Sequence, residues 1–124
     1  MTKICFLKFD DIHDLERKRV IDGFNGQRGV SIMNDLRSLC IENDLPAPSC
    51  FQFEQEERTK ITEGKFLWKT ISNAEIRCTV SVSLVFKQEK IPTHMVKTLR
   101  LVLEAYSAGV RRGFIHGAKH LFWY

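Results

Sequence analysis

Two glycines that bracket a polar and a basic residue form the segment of this sequence with the most specific chemistry. They are Gly26, Gln27, Arg28 and Gly29, and an apolar helical pattern follows from Val30. Glycines let a backbone approach another group closely, and the first N–H groups of a helix lack partners within it. Such N–H groups bind phosphate at the positive end of the helix dipole. This G-x-x-G segment is therefore a candidate phosphate site, with a plain turn between helices as the alternative.

Positive charge is concentrated in the last third of the chain. The formal net charge is +4, and residues 87–124 contain seven basic but only two acidic side chains. An acidic partner, such as a nucleic acid or an acidic protein surface, would be attracted there. The basic residues that we expect to contact nucleic acid are Lys97, Arg100, Arg111, Arg112 and Lys119. A solvated helix face is the alternative for the same residues.

The carboxyl end of the sequence is aromatic. Phe122, Trp123 and Tyr124 follow Leu121 as the last residues. They form either a last strand docked on the sheet or a contact surface for another protein, since Trp and Tyr are enriched at binding hot spots.

Catalytic and metal-binding signals are weak. Asp10 and Asp11 can hold a divalent metal at the end of a strand, as in a metal-dependent nuclease, but helix capping explains them more simply. His116 and His120 have zinc-like spacing without paired cysteines before them. We therefore expect a protein that is not an enzyme and that uses no metal or cofactor.

Length and cysteine spacing bound the class of protein. The 124 residues correspond to a single α+β domain over 1–124. Cys5, Cys40, Cys50 and Cys78 show no C-x-x-C spacing and are expected to be reduced. The first residues are too charged for a signal peptide or membrane span, so we expect a cytoplasmic protein without membrane contact.

Apolar periodicity predicts the helices. Asp10 or Asp11 would cap a first helix whose inner side is Ile12, Leu15 and Ile21. A second helix is predicted over Val30–Asn43 and is stopped by 46–48. Its buried stripe is Ile32, Met33, Leu36, Leu39 and Cys40.

A third helix is predicted to open at Pro92-Thr93, with Gly113 as the residue that caps its end. Its buried stripe is Met95, Leu99, Val102, Leu103, Tyr106 and Val110.

Alternating patterns predict the strands. Ile4–Phe9 is largely apolar at both phases apart from Lys8, which is typical of a central strand covered on both faces. Residues 50–88 form a predicted meander with a middle strand at Phe66-Leu67-Trp68 and a turn at Ser72-Asn73-Ala74. Its last strand would point Ile76, Cys78, Val80, Val82, Leu84 and Phe86 inward. The predicted fold is an antiparallel sheet in the order β-α-α-β-β-β-α, with a possible C-terminal strand and the helices packed on one face.

The G-x-x-G segment within this order resembles the K-homology (KH) family. Residues 24–32 are similar to its pattern of apolar residues, G-x-x-G, two variable residues and an isoleucine, although Asn25 replaces an apolar residue. The resemblance implies a loop that clamps the backbone of about four unpaired nucleotides. It implies that Gln27 and Arg28 contact phosphate and that Ile32 and Leu36 line an apolar groove for the bases.

We therefore expect a binding module for single-stranded nucleic acid or a nucleoprotein. The alternative is a small accessory or inhibitor protein, for example from a virus or mobile element, that blocks a partner protein by direct contact. A metal-dependent nuclease is a minor alternative.

Overall fold

The computed structural model of the protein describes residues 2–62 and 73–113. Their three strands form an antiparallel sheet in the spatial order β1-β3-β2, and the helices pack on one of its faces. The elements are β1 (Thr2–His13), α1 (Asp14–Asn25), α2 (Gln27–Glu42), β2 (Cys50–Thr62), β3 (Asn73–Phe86) and α3 (Thr93–Arg111). The predicted α+β fold is confirmed. The predicted strand at 66–68 and the possible C-terminal strand lie outside the described residues.

The predicted inward face of β3 forms the centre of the core. Exposure is 1% or less at five of its alternate residues, namely Cys78, Val80, Val82, Leu84 and Phe86. Ile76 was expected to join them but is 43% exposed. The pairing with β1 ends at Arg77, so Ile76 has a strand neighbour on one side only. The predicted turn at 72–74 is wrong for Asn73 and Ala74, which belong to β3 and pair with Thr62 and Ile61.

The first strand lies at the edge of the sheet that the structure describes, and not in its centre as predicted. Its register against β3 shifts between Cys5 and Leu7 and again between Phe9 and Ile12. The first shift is a bulge that lets two consecutive residues, Phe6 and Leu7, both face the core. An extra inward residue therefore gave the sequence the appearance of a strand covered on both faces.

The start of α1 differs from the prediction. Both Asp10 and Asp11 belong to β1, and His13 is the N-cap residue. The Leu15 N–H donates to His13 Nδ1 at 3.2 Å, and the His13 N–H donates to Glu16 Oε1 at 3.4 Å. This reciprocal pair is a capping box with histidine in place of the usual hydroxyl residue.

The buried side of α1 is also rotated from the predicted one. Val20 and Phe24 are its buried residues, whereas Leu15 is 68% exposed. The buried stripe of α2 is as predicted at Ile32, Met33, Leu36 and Cys40.

The last helix packs through the predicted stripe. Leu99 and Leu103 are buried, and the remaining members of the stripe pack against the core in part. The helix does not end on Gly113, because Arg112 is the C-cap and keeps right-handed helical dihedral angles. None of the helices that the structure describes is long and apolar enough to cross a membrane.

The first two helices cross with their backbones in contact. Gly26 alone separates them, so α2 begins three residues before the predicted start. A Cβ atom at Gly29 would lie 2.5 Å from the carbonyl carbon of Phe24 and nearer still to its oxygen. Because both groups are backbone, neither can move aside. Glycine is therefore required at this position by packing, independently of any ligand.

We expect Gly29→Ala to lower the free energy of unfolding by at least about 2 kcal/mol, the cost of overpacking at a contact that cannot relax. Urea denaturation followed by circular dichroism measures this change. Gly109→Ala is the matched control because nothing lies within 4 Å of its added Cβ. Within a helix that control should stabilise by about 0.5–1 kcal/mol. Equal effects at the two glycines would contradict the packing role of Gly29.

Candidate nucleic-acid interface

The G-x-x-G segment is the junction of two helices. Gly26 has extended backbone angles (φ −103°, ψ −162°), and its N–H donates to the Gly23 carbonyl at 3.3 Å. It is the N-cap of α2 and provides no side-chain cap to the first turn. Gln27 and Arg28 are exposed, whereas Gly29 is buried against α1. Three of the four residues thus belong to α2, and Gly26, Gln27 and Arg28 form its accessible end.

A groove lies between α2 and β2. It has a volume of about 270 Å³ and is mostly apolar. We call it the α2–β2 groove, and its lining residues are Phe24, Gly29, Val30, Met33, Asn34, Arg37, Ser49, Cys50 and Phe51. Of the G-x-x-G segment, only Gly29 is among these lining residues, and the groove extends from it along one side of α2.

Aromatic contacts hold the floor of the groove in place. The ring of Phe51 meets that of Phe24 edge-on, with centroids 4.9 Å apart, and Phe6 approaches Phe51 at 6.5 Å. Phe24 also contacts Phe53 at 5.9 Å. Rings packed on each other in this way keep a fixed orientation. Phe51 is half-buried and presents the remainder of its surface to the groove.

Different residues from those predicted line this groove. Leu36 is fully buried, and Ile32 faces a separate cleft between α2 and α3. Val30 and Met33 line the α2–β2 groove instead. Side chains one position apart on a helix point about 100° apart, so the choice depends on how α2 is rotated on the sheet. Sequence periodicity located the apolar face of α2, but it did not show which of its residues face the core and which line the groove.

One positive side chain in the groove escaped the sequence analysis. Arg37 donates from Nε to the Pro48 carbonyl at 3.0 Å and from Nη2 to the Ser49 carbonyl at 2.7 Å. These bonds use two of its five N–H groups and fix the guanidinium plane beside the groove. No local motif identifies this role, because the partners are carbonyls more than ten residues further along the chain.

Arg28 lies on the other side of α2. A Cβ at Gly113 would overlap Arg28 Nη2 and lie 3.4 Å from Cζ, so the guanidinium sits directly over this glycine. Arg28 also lines the cleft between α2 and α3 together with Tyr106 and Val110. The carboxyl end of a helix carries partial negative charge, which favours a guanidinium there. The structure thus brings the G-x-x-G segment to the end of α3.

The predicted basic residues of α3 have different surroundings in the structure. Arg111 donates to the Lys8 carbonyl at 2.6 Å, and its guanidinium lies 5.4 Å from the centre of the Phe9 ring. It therefore ties α3 to the edge of β1. Arg112 is exposed next to Gly113.

Two further predicted residues of α3 lie away from the G-x-x-G segment. Lys97 and Arg100 are exposed towards the other end of the helix. At 1.5 Å per residue, Arg100 is about 20 Å along the helix from Gly113. Lys119 and the aromatic residues Phe122, Trp123 and Tyr124 lie outside the described residues, so their predicted contacts stay predictions.

The predicted metal ligands are occupied by ion pairs. Asp10 pairs with Lys8 at 3.7 Å, and Asp11 pairs with Arg77 at 3.1 Å. Neither aspartate belongs to a group of metal-type ligands within the part of the chain that the structure describes.

Such a group does exist nearby, at Asp14, Glu57 and Cys78, whose ligand atoms lie within 4.8 Å of one another. Arg17 already donates to Asp14 from Nε at 2.8 Å and from Nη2 at 2.6 Å. Hydrogen bonding to Asp14 raises the pKa of Arg17, and burial raises the pKa of the Cys78 thiol. A guanidinium thus supplies the positive charge, and the thiol is held in its neutral form.

A hydrogen bond joins α2 to α3 beside their cleft. The Tyr106 hydroxyl donates to Asp35 Oδ2 at 2.7 Å. Burial, and then the bond to Asp35, raise the pKa of Tyr106 to about 12. The bond therefore survives at every physiological pH and holds the two helices in one arrangement.

Comparison with known proteins assigns no family to this site. The chain matches no family model, no curated protein and no solved structure. Its function is therefore inferred from the geometry of its own residues.

The raised pKa of Tyr106 has a measurable consequence. In Tyr124→Phe, which leaves Tyr106 as the only tyrosine, we expect an ultraviolet titration midpoint of about 12. The ordinary value is about 10. Because the folded pKa is raised, the stabilisation is complete below pH 10 and is lost as the pH rises through about 12.

Removal of the hydroxyl tests the same bond. Tyr106→Phe should lower the free energy of unfolding by about 1 kcal/mol at pH 7, as for an ordinary hydrogen bond. A Tyr106 titration midpoint near 10, together with an unchanged free energy of unfolding in Tyr106→Phe, would contradict this role.

Proposed function

We propose that this protein is a non-enzymatic module that binds single-stranded nucleic acid, alone or in a nucleoprotein, in the α2–β2 groove. The accessible end of α2 at Gly26, Gln27 and Arg28 would hold a phosphate. The bases would lie on the apolar surface of Val30, Met33 and Phe51. The observation that carries the proposal is that Gly29, the last residue of the G-x-x-G segment, lines the groove next to Val30 and Met33.

The composition of the groove supports this ligand. Its lining combines aliphatic and aromatic surface with one fixed arginine, and no carboxylate is among the lining residues that the structure describes. Unpaired bases stack on aromatic and apolar surfaces, while phosphates require positive charge and N–H donors. An apolar peptide would have no use for the uncapped helix end at Gly26.

The order of elements supports the resemblance to the KH family. The described chain runs β-α-α-β-β-α, with the G-x-x-G segment at the junction of the first two helices. In KH domains this loop clamps about four nucleotides of unpaired backbone beside an apolar groove. In this chain, Gly29 of the segment lines the mostly apolar α2–β2 groove, which supports the resemblance.

Arg28 and Arg112 add positive charge near the bound end of the strand. Arg28 is held over Gly113 at the end of α3, and Arg112 is exposed beside it. Long-range attraction of this kind mainly accelerates binding and makes it depend on salt. The four cysteines are free thiols, which supports the proposal that the protein works in a reducing cytosol.

A carboxylate at the accessible end of α2 should repel the phosphate without harming the fold. We expect Gln27→Glu to weaken binding of an eight-nucleotide oligouridylate or oligothymidylate about tenfold, equivalent to about 1.4 kcal/mol. Its thermal stability should not fall, since a carboxylate is favourable in the first turn of a helix. Fluorescence anisotropy at low salt measures the affinity.

Gln52→Glu is the matched control, with the same change of charge. Gln52 pairs with Ser83 on the face of the sheet opposite the helices, so its variant should bind within about twofold of the parent protein. Equal loss of affinity in both variants would show that net charge, and not the phosphate site, causes the weakening. Absence of binding to either oligonucleotide at low salt would overturn the proposed function.

The apolar surface can be tested separately from the phosphate site. Val30 is 53% exposed in the groove, and Leu101 is 68% exposed on α3 outside it. We expect Val30→Asn to weaken oligonucleotide binding about fivefold, because polar substitution removes part of the surface under the bases. Leu101→Asn should leave the affinity unchanged. A greater loss of affinity in Leu101→Asn than in Val30→Asn would contradict binding in this groove.

A further inference from the structure

The α2–β2 groove adjoins a second space at Arg37. A second cleft of about 350 Å³ begins there, and its lining residues are Arg37, Ala47, Pro48, Ser49, Lys87 and Gln88. Arg37 and Ser49 line both spaces. The two spaces therefore adjoin at Arg37 and Ser49, and their linings follow a path from Gly29 along α2 to Lys87 and Gln88 after β3.

Arg37 is held at the junction of the two spaces. Its bonds to the Pro48 and Ser49 carbonyls fasten the extended segment 46–49 to α2. Ser49 is fastened in turn to β3, since its N–H and its hydroxyl donate to the Val85 carbonyl at 2.8 and 2.9 Å. The guanidinium is therefore positioned before any ligand arrives, which lowers the entropy lost on binding.

Lys87 supplies the second positive charge on this path. It follows β3 directly and is exposed, and its backbone neighbourhood is fixed because Thr2 Oγ1 donates to the carbonyls of Gln88 and Glu89. Lys87 takes part in no ion pair with any residue that the structure describes. The lining of the second cleft, like that of the groove, includes no carboxylate among the described residues.

The length of the path indicates what the two charges contact. Gln27 and Arg37 are ten residues apart on α2, which corresponds to about 15 Å along the helix axis. About four nucleotides suffice for the span between the G-x-x-G segment and the end of a KH-type groove. Arg37 and Lys87 lie where the strand leaves that span.

We propose that Arg37 and Lys87 form a phosphate-binding exit, at which the protein contacts the nucleotides beyond the first four. The inference rests on the proposed function, since it presumes a single strand in the α2–β2 groove. A planar guanidinium with N–H groups to spare and a mobile ammonium together suit the phosphates of a continuing backbone. The exit therefore extends the footprint of the protein without adding base specificity.

The test compares oligonucleotides of four and eight residues, made of uridine or thymidine. We expect the parent protein to bind the eight-residue strand more tightly than the four-residue strand, after allowance for the number of binding positions on each strand. Lys87→Ala should weaken binding of the eight-residue strand about fivefold and reduce its salt dependence by about one phosphate contact. Binding of the four-residue strand should not change.

Lys8→Ala is the control with the same loss of charge. Lys8 lies on β1, at the edge of the sheet farthest from β2, so its variant should bind both strands as the parent protein does. Lys87 donates no hydrogen bond among the described residues, so its variant should keep the parent's stability in urea.

The outcomes separate the exit from the groove. If both strands bind but Lys87→Ala weakens neither, or weakens both equally, the exit is overturned and the groove stands. If neither strand binds the parent protein at low salt, the proposed function and the exit fail together.

Discussion

The contact between the backbones of Gly29 and Phe24 sets the geometry on which the remaining structure depends. With no side chain at Gly29, α2 starts directly on the end of α1, and a single residue makes the connection. The angle between the helices places one side of α2 on the sheet and leaves another facing β2. The groove and the accessible helix end are therefore consequences of one close packing contact.

This contact gives the glycines of the G-x-x-G segment unequal roles. Gly29 is buried and serves the crossing of the helices, whereas Gly26 stands at the uncapped end of α2. A turn between helices and a phosphate site, which the sequence presents as alternatives, are compatible in the structure. Close packing keeps the helix end rigid, and rigidity favours ligand binding because little order has to be imposed.

Positive charge in this protein is used in two different ways. Arg17, Arg77 and Arg111 are engaged with carboxylates, carbonyls or an aromatic ring and stabilise the fold. Lys87 and Arg112 are exposed, Lys87 in the cleft that it shares with Arg37 and Arg112 next to Gly113 at the end of α3. A count of charges along the sequence cannot separate these groups, because the separation depends on which partner each side chain meets in space.

The sequence by itself determined the fold class, the buried stripes of α2 and α3 and the inward face of β3. These follow from local periodicity, to which every residue of a regular helix or strand contributes. Tertiary structure alone decided that β1 lies at the edge of the described sheet, that His13 caps α1 and that Arg37 lines the groove. Bulges, the rotation of a helix and bonds between distant residues decide such features. Each is set by packing between elements, for which one sequence contains no periodic signal.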